Sequence, residues 1–314
     1  MWHPNETFDN RFILLGLAEI PHQQALCVLI LLNIYLLTLA GNILLITVVR
    51  INLNLQTPMY FFLTNLSVID IGFSSTIVPK LLIITLAQDK SISFLGCACQ
   101  MFFHIGLGST ECMILAVMAY DRYAAICKPL HYNSIMNKNF CICMASGSWI
   151  ISFINSGFHV SLTFKLPFCK NRNINHFLCE LPPILRLSCK DPWLNEIIVY
   201  AMASTYTICS FFLILISYVH IISTIVRIHS TKGRRKAFST CTSHFSVVSV
   251  YYGTIMFMYL RPHSANSPNI DKAVSIIYTA VTPVLNPIIY SIRNKEVKLA
   301  IRKKVLVPIY KGSN

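Results

Sequence analysis

Seven stretches of this chain run for about 18 residues or more with almost no charge, and nothing else in the sequence restricts its fold so strongly. They cover residues 26–49, 59–79, 98–120, 141–164, 197–226, 237–260 and 273–290, and the acids within them are Asp70 and Glu111. About 20 apolar residues cross a hydrocarbon core of about 30 Å. In lipid a single segment must satisfy its own backbone, which a run of this length does as a helix. Composition agrees: 54% of the 314 residues are apolar and 12% charged, about half the charge of a soluble domain. A water-facing globule is excluded, and sparse glycine with abundant aromatics excludes collagen and disorder. The expected fold is an all-α membrane protein, a seven-transmembrane helix bundle with a short amphipathic cytoplasmic helix. It divides into an extracellular tail (1–25), the seven-helix bundle (26–291) and a cytoplasmic tail (292–314).

An odd number of crossings places the termini on opposite sides. With the N-terminus outside, 16 of the 26 basic residues fall in the inner connections and tail, against two acids, Asp121 and Glu296. That asymmetry fixes the orientation. The formal charge of +14 therefore faces the anionic inner leaflet, and membrane lipids, not nucleic acid, are its expected partner. No basic start followed by an apolar run opens the chain, so no cleaved leader is expected and the first span serves as anchor. Asn5-Glu6-Thr7 is a glycosylation acceptor on the outer tail, whereas Asn65-Leu66-Ser67 lies within a span.

Twelve cysteines divide by environment. Eight lie in or at the ends of spans and read as small apolar residues. Cys97, Cys169, Cys179 and Cys189 lie outside, where an even set reads as two disulfides. Four cysteines allow three pairings, and spacing does not choose among them. A metal site at His176, Cys179 and Glu180 competes, but an oxidised sulfur is no thiolate ligand. The absence of an internal repeat argues against most transporters, and scattered histidines with no nucleophile and base argue against an enzyme. The outer connection 165–195 is long enough to fold as a cap.

Four strings then stand in order along the chain: Pro58-Met59-Tyr60-Phe61-Phe62-Leu63; Met118-Ala119-Tyr120-Asp121-Arg122-Tyr123; Lys236-Ala237-Phe238-Ser239-Thr240-Cys241 with Ser243-His244; and Pro283-Val284-Leu285-Asn286-Pro287-Ile288-Ile289-Tyr290, continuing into Arg293-Asn294-Lys295-Glu296-Val297. On these the chain resembles a rhodopsin-like G-protein-coupled receptor, and within that class an olfactory receptor of the tetrapod-type branch. Ala124, Phe245, Tyr251 and Val284 depart from the usual residues, all by apolar or aromatic replacement.

Helical spacing places His104, Gly108, Glu111, Leu115, Met118 and Arg122 on one face of the third helix. Similar stripes run through Phe245, Val248, Tyr252, Ile255 and Tyr259 on the sixth helix, and through Ile276, Thr279, Pro283, Asn286 and Tyr290 on the seventh. Any buried helix shows such a stripe, but charge within lipid is costly and marks function. Asp70 and Glu111 are either two protonated acids bonded to Ser67 and Asn286 or, as the resemblance supports, a structural sodium site with Asn42 and Asn286. No other cofactor is expected. The resemblance further implies a switch in which Asp121 holds Arg122, within the Asp121-Arg122-Tyr123 motif, until activation frees it toward Tyr218 and Tyr290. Pro283 and Pro287 predict a kink in the seventh helix.

The ligand is expected in an outer cavity lined by His104, Ile105, Gly108 and Ser109 of the third helix and Met202 and Tyr206 of the fifth. Tyr252, Ile255 and Tyr259 of the sixth and Ile276 and Thr279 of the seventh complete it. Such walls suit a small, neutral, mostly apolar odorant. His104 stands where amine receptors carry a salt-bridging Asp, so an amine is not favoured. The resemblance implies a heterotrimeric G protein of the stimulatory olfactory type, rising cyclic AMP, and residence in the plasma membrane of olfactory cilia. A non-odorant metabolite is the alternative ligand, and a membrane transporter the more distant alternative. The short basic stretch from Arg227 to Lys236 reads as a docking rim for a partner helix. Residues 293–306 read as a helix lying on the membrane, with Val297, Ile301 and Val305 on one face. No cysteine follows Cys241, so no palmitoyl anchor is expected in the tail.

Overall fold

The computed structural model describes residues 11–17, 21–86, 89–168, 172–259, 268–293, 297 and 299. Its long helices are α1 (Pro21–Ile51), α2 (Pro58–Leu86) and α3 (Phe94–Cys127), then α5 (Lys138–Phe164), α7 (Trp193–Val226) and α8 (Thr231–Tyr259). Short helices α4 (Tyr132–Ile135) and α6 (Leu181–Leu185) lie in the connections. The last span is α9 (Pro268–Ile276), a π-helical turn at Ile277–Val281, and α10 (Thr282–Arg293). Local chemistry starts two of the helices. The Ser93 hydroxyl accepts from Gly96 N at 3.0 Å to open α3, and Asn137 Oδ1 accepts from Phe140 N at 2.9 Å to open α5.

Six of these segments are long and apolar enough to cross a membrane; α8 is not among them. Its 29 residues suffice in length, but basic and hydroxyl side chains dilute it. The hydroxyls are accommodated locally: Thr242, Ser246, Ser249 and Thr254 each donate to the carbonyl four residues earlier, at 2.8–3.0 Å. A hydroxyl bonded within its own helix costs little in an apolar setting. Packing against α3, α7 and α10 makes α8 a full member of the bundle.

Helix α3 is the central element, in contact with α2, α5, α7 and α8; Ile114, Leu115, Met118 and Ala119 on it are fully buried. Small residues allow close approach. A Cβ on Gly106 would meet the Phe153 ring of α5 at 3.0 Å, and one on Gly41 of α1 would meet Pro287 of α10 at 3.3 Å. The outward faces of α1, α5 and α7 expose Leu29, Leu37, Ile150, Ile154, Leu213 and Val219, an apolar belt that a soluble protein would not leave open. The sixth-helix stripe differs from expectation. Phe245 is 54% exposed, while His244, Val247, Val248, Tyr251 and Tyr252 are buried, so the buried face is turned about one residue from the one through Phe245.

The outer cap is a small sheet in the order β2-β1-β3, formed by Arg11–Leu14 (β1), Ser91–Ser93 (β2) and Asn173–Ile174 (β3). The central strand comes from the N-terminal tail, antiparallel to β2 and parallel to β3. Phe12 fastens it, fully buried and stacked on Phe94 at 4.3 Å. Of the expected tail helix, buried Val297 and exposed Leu299 are described. The remaining tail positions, Ile301 and Val305 included, lie outside the described residues, as do Asn5 and Cys169.

Candidate ligand and switch sites

Starting from the outer end of α3, Cys97 and Cys179 form a disulfide with Cα atoms 5.5 Å apart, which selects among the pairings that spacing left open. Cys189 is disulfide-bonded as well. One turn below Cys97, Gln100 accepts from Cys179 N at 3.0 Å and donates to Thr76 O at 3.2 Å, so the cap is fastened to α2 and α3 together. Glu180 fastens it to the last span. Its Oε1 accepts from Ser275 Oγ at 3.2 Å and from the Tyr278 hydroxyl, and its Oε2 lies 3.6 Å from His176 Nε2. Because Cys179 is oxidised, the alternative metal site loses its sulfur ligand, and His176 and Glu180 face each other instead.

Below the cap, His104 packs against the Phe73 ring at 5.0 Å and Tyr278 at 5.9 Å, with a buried Nδ1 that has no hydrogen-bond partner. The next level ties three helices together. The Tyr251 hydroxyl donates to Gly108 O at 2.7 Å. The Tyr252 hydroxyl donates to Ser210 Oγ at 2.8 Å, and the Cys112 thiol lies 2.8 Å from Ser210 Oγ and 3.1 Å from the Tyr252 oxygen. The Tyr206 and Ser152 hydroxyls are 2.6 Å apart, and Thr279 donates to Ser275 O at 2.5 Å. Ile105, Ile255 and Ile276 are half-buried against the core, while Ser109 and Met202 are half-buried. The Tyr259 side chain lies outside the described set. Tyr206, Tyr252 and Thr279 thus engage their hydroxyls with protein partners. Tyr251, one of the departures from the usual residues, belongs to this layer, and so do Cys112 and Ser210, which were not among the expected lining residues. Cys112 lies one helical turn below Gly108, and that spacing was the available signal.

At mid-depth Asn286 Nδ2 donates to both oxygens of Asp70, at 3.0 and 3.1 Å. Asp70 is also close enough to Glu111 for their charges to interact. Both acids are buried, Glu111 Oε1 and Asn42 Oδ1 have no hydrogen-bond partner, and Asn42 Nδ2 donates to Pro283 O at 3.1 Å. Ser67 is buried in the same helix as Asp70. Two carboxylates with an orphaned acceptor oxygen form a donor set that suits a hard monovalent cation or a shared proton.

At the inner end, Arg122 Nε lies 4.0 Å from Asp121 Oδ2, and Asp121 Oδ1 accepts from the Tyr132 hydroxyl of α4 at 2.7 Å. Burial and the adjacent Asp121 carboxylate push the Tyr132 phenol above its ordinary value, so it remains a donor. Tyr123 packs near His220, with ring centres 5.7 Å apart. Tyr218 engages His244 rather than Arg122: its hydroxyl lies 2.8 Å from Nδ1, and Nε2 of the same ring lies 3.1 Å from Leu115 O. The Tyr290 hydroxyl is buried without a hydrogen-bond partner, and Pro287 lies within α10. The backbone irregularity of the last span is the π-turn, just before Pro283. Two surface clefts flank this column. One of about 610 Å³ is lined by Arg11, Lys80 and Gln100 at the outer rim, and one of about 680 Å³ lies between the inner ends of α7 and α8.

Comparison with known proteins is consistent along nearly the whole length. The family model described as "Olfactory receptor" matches residues 31–307. The human protein "Olfactory receptor 5B21" is 48% identical over 299 residues, covering 95% of this chain and 96% of its own. Human "Olfactory receptor 5B12" is 46% identical over 301 residues, with 96% of each chain covered. Mouse "Olfactory receptor 5AP2" is 48% identical over 299 residues, 95% of this chain and 94% of its own.

Proposed function

The chain belongs to the olfactory receptor family, a family of seven-helix receptors and not of enzymes, and on that premise we propose how it receives and passes on a signal. A small, neutral, weakly polar odorant binds beneath the outer cap, against His104, Ile105, Gly108 and Ser109 of α3 and the facing residues of α7, α8 and the π-turn. Binding there activates a stimulatory olfactory G protein and raises cyclic AMP. The receptor lies in the plasma membrane of olfactory cilia with its N-terminus outside.

One observation carries this reading: α8 is tied to α3 and α7 at successive depths along one column. Tyr251 holds Gly108 O, Tyr252 holds Ser210 beside Cys112, and His244 bridges Leu115 O and Tyr218. A ligand shifts such an assembly only by binding one arrangement better than the other. An odorant that takes over the upper ties, at Gly108 and Ser210, favours the arrangement in which the inner end of α8 departs from α3. Arg122 then leaves Asp121 and presents its guanidinium to the G protein. Asp70 and Glu111, with Asn286 and Asn42, would hold a sodium ion, whose charge would offset the paired carboxylates.

Expression with the stimulatory olfactory G protein and a chemically broad odorant panel tests the proposal. At least one neutral odorant is expected to raise cyclic AMP, and Arg122→Ala at equal surface level to abolish that rise. Full signalling by Arg122→Ala would refute the switch. A response confined to charged amines would refute the ligand class.

A further inference from the structure

The cleft between the inner ends of α7 and α8 has a chemistry that the switch does not use. Its apolar walls are Ile222, Ile225, Val226 and Phe238, and Arg234 and Arg235 stand at its rim. Val226 and Phe238 are 68% and 63% exposed. They lie on faces turned away from the core: on α8 the buried side is marked by Cys241, His244 and Val248, whereas Phe238 and Thr242 lie across the helix from His244. The cleft therefore opens sideways from the bundle, not into the space around Arg122.

Charge selects the occupant. From residue 197 to residue 270 the sequence contains no Asp or Glu, and the acid of α7, Glu196, stands in its first turn at the opposite end of the helix from the two arginines. Thr231 and Ser239 add hydroxyls beside them. An anionic headgroup joined to acyl chains satisfies both halves of this surface, cations at the water boundary and hydrocarbon beneath. A volume of about 680 Å³ holds a headgroup and the first methylenes of its chains.

We propose that this cleft is a binding site for an anionic phospholipid of the inner leaflet, its phosphate held by Arg234 and Arg235 and its chains lying along Ile222, Val226 and Phe238. The leaflet assignment rests on the orientation given under the proposed function; the site itself does not. Bound there, the lipid braces α8 against α7 at the end that activation must move.

Native mass spectrometry of the full-length purified receptor tests this with two probes, phosphatidylinositol 4,5-bisphosphate and phosphatidylcholine. The wild type is expected to retain the anionic lipid in preference to the neutral one. The R234Q/R235Q double variant should retain roughly thirtyfold less, because both direct charge-assisted contacts to the phosphate are lost, with phosphatidylcholine unchanged. The control R227Q/K232Q, which removes equal charge outside the cleft, should bind as the wild type does. Ser239→Trp, which fills the cleft and leaves the charge intact, should also lower retention. Equal losses in R234Q/R235Q and R227Q/K232Q would reduce the effect to diffuse attraction and overturn the site. Undiminished lipid on R234Q/R235Q together with lost G-protein activation would overturn it in favour of a partner helix. The lipid readout needs neither odorant, G protein nor a sided membrane, so its failure is separable from failure of the signalling scheme.

Discussion

At the residue scale, single polar atoms in an apolar bundle matter most, because each has few alternative partners. Asp121 illustrates this. Its shorter bond is not to Arg122 at 4.0 Å but to the Tyr132 hydroxyl at 2.7 Å. Tyr132→Phe removes that donor and leaves Asp121 with a long contact to Arg122, so basal cyclic AMP without odorant should rise severalfold at unchanged surface level. Asn286→Ala deprives both Asp70 oxygens of their donor. An unsatisfied buried acceptor costs about 1–3 kcal/mol, to be read as a lower melting temperature of the purified receptor. Asp70 and Glu111 were legible because charge within a long apolar run stands out. His244 was part of a recognised string, yet its role was not legible. A histidine three residues beyond a cysteine gives no sign that its two nitrogens reach Tyr218 and a carbonyl of α3.

Among elements, close approach depends on what is absent. Gly106 lets α3 lie against Phe153, and a Cβ there would meet three ring carbons at 3.0–3.2 Å. Gly106→Val forces an aromatic ring out of a packed seam, an overpacking cost of about 1–3 kcal/mol. The measurable outcomes are reduced thermal stability and fewer receptors reaching the surface. Six spans stand out by hydropathy, and α8 is legible by its length and the absence of acids within it: serines and threonines bonded to their own helix cost so little that a polar-looking segment still belongs to the bundle. Phe245 shows the limit. Spacing establishes that a helix has two sides, but a stripe chosen through an aromatic residue can fall on the lipid side when lipid is the solvent. The π-turn was not legible either, since Pro283 and Pro287 announced an irregular helix without saying that the extra residue enters before them.

For the whole molecule, the distribution of basic residues predicts that an N-terminal epitope is stained on intact cells and a C-terminal one after permeabilisation. The reverse pattern would invert the leaflet assignment and the signalling direction together. The architecture was legible because lipid permits so few folds. The long connection 165–195 was legible as a cap, but its sheet was not, because four residues at Arg11–Leu14 and three at Ser91–Ser93 are too few for an alternation to register. Yet its topology governs biogenesis. The strand made first lies in the middle, flanked by one partner made some way downstream and another from beyond the fourth membrane crossing. The exterior face therefore cannot close until the ribosome has delivered more than half the polypeptide. Until then Phe12, fully buried in the finished cap, lacks part of the packing that encloses it, the edge contact with Phe168 included.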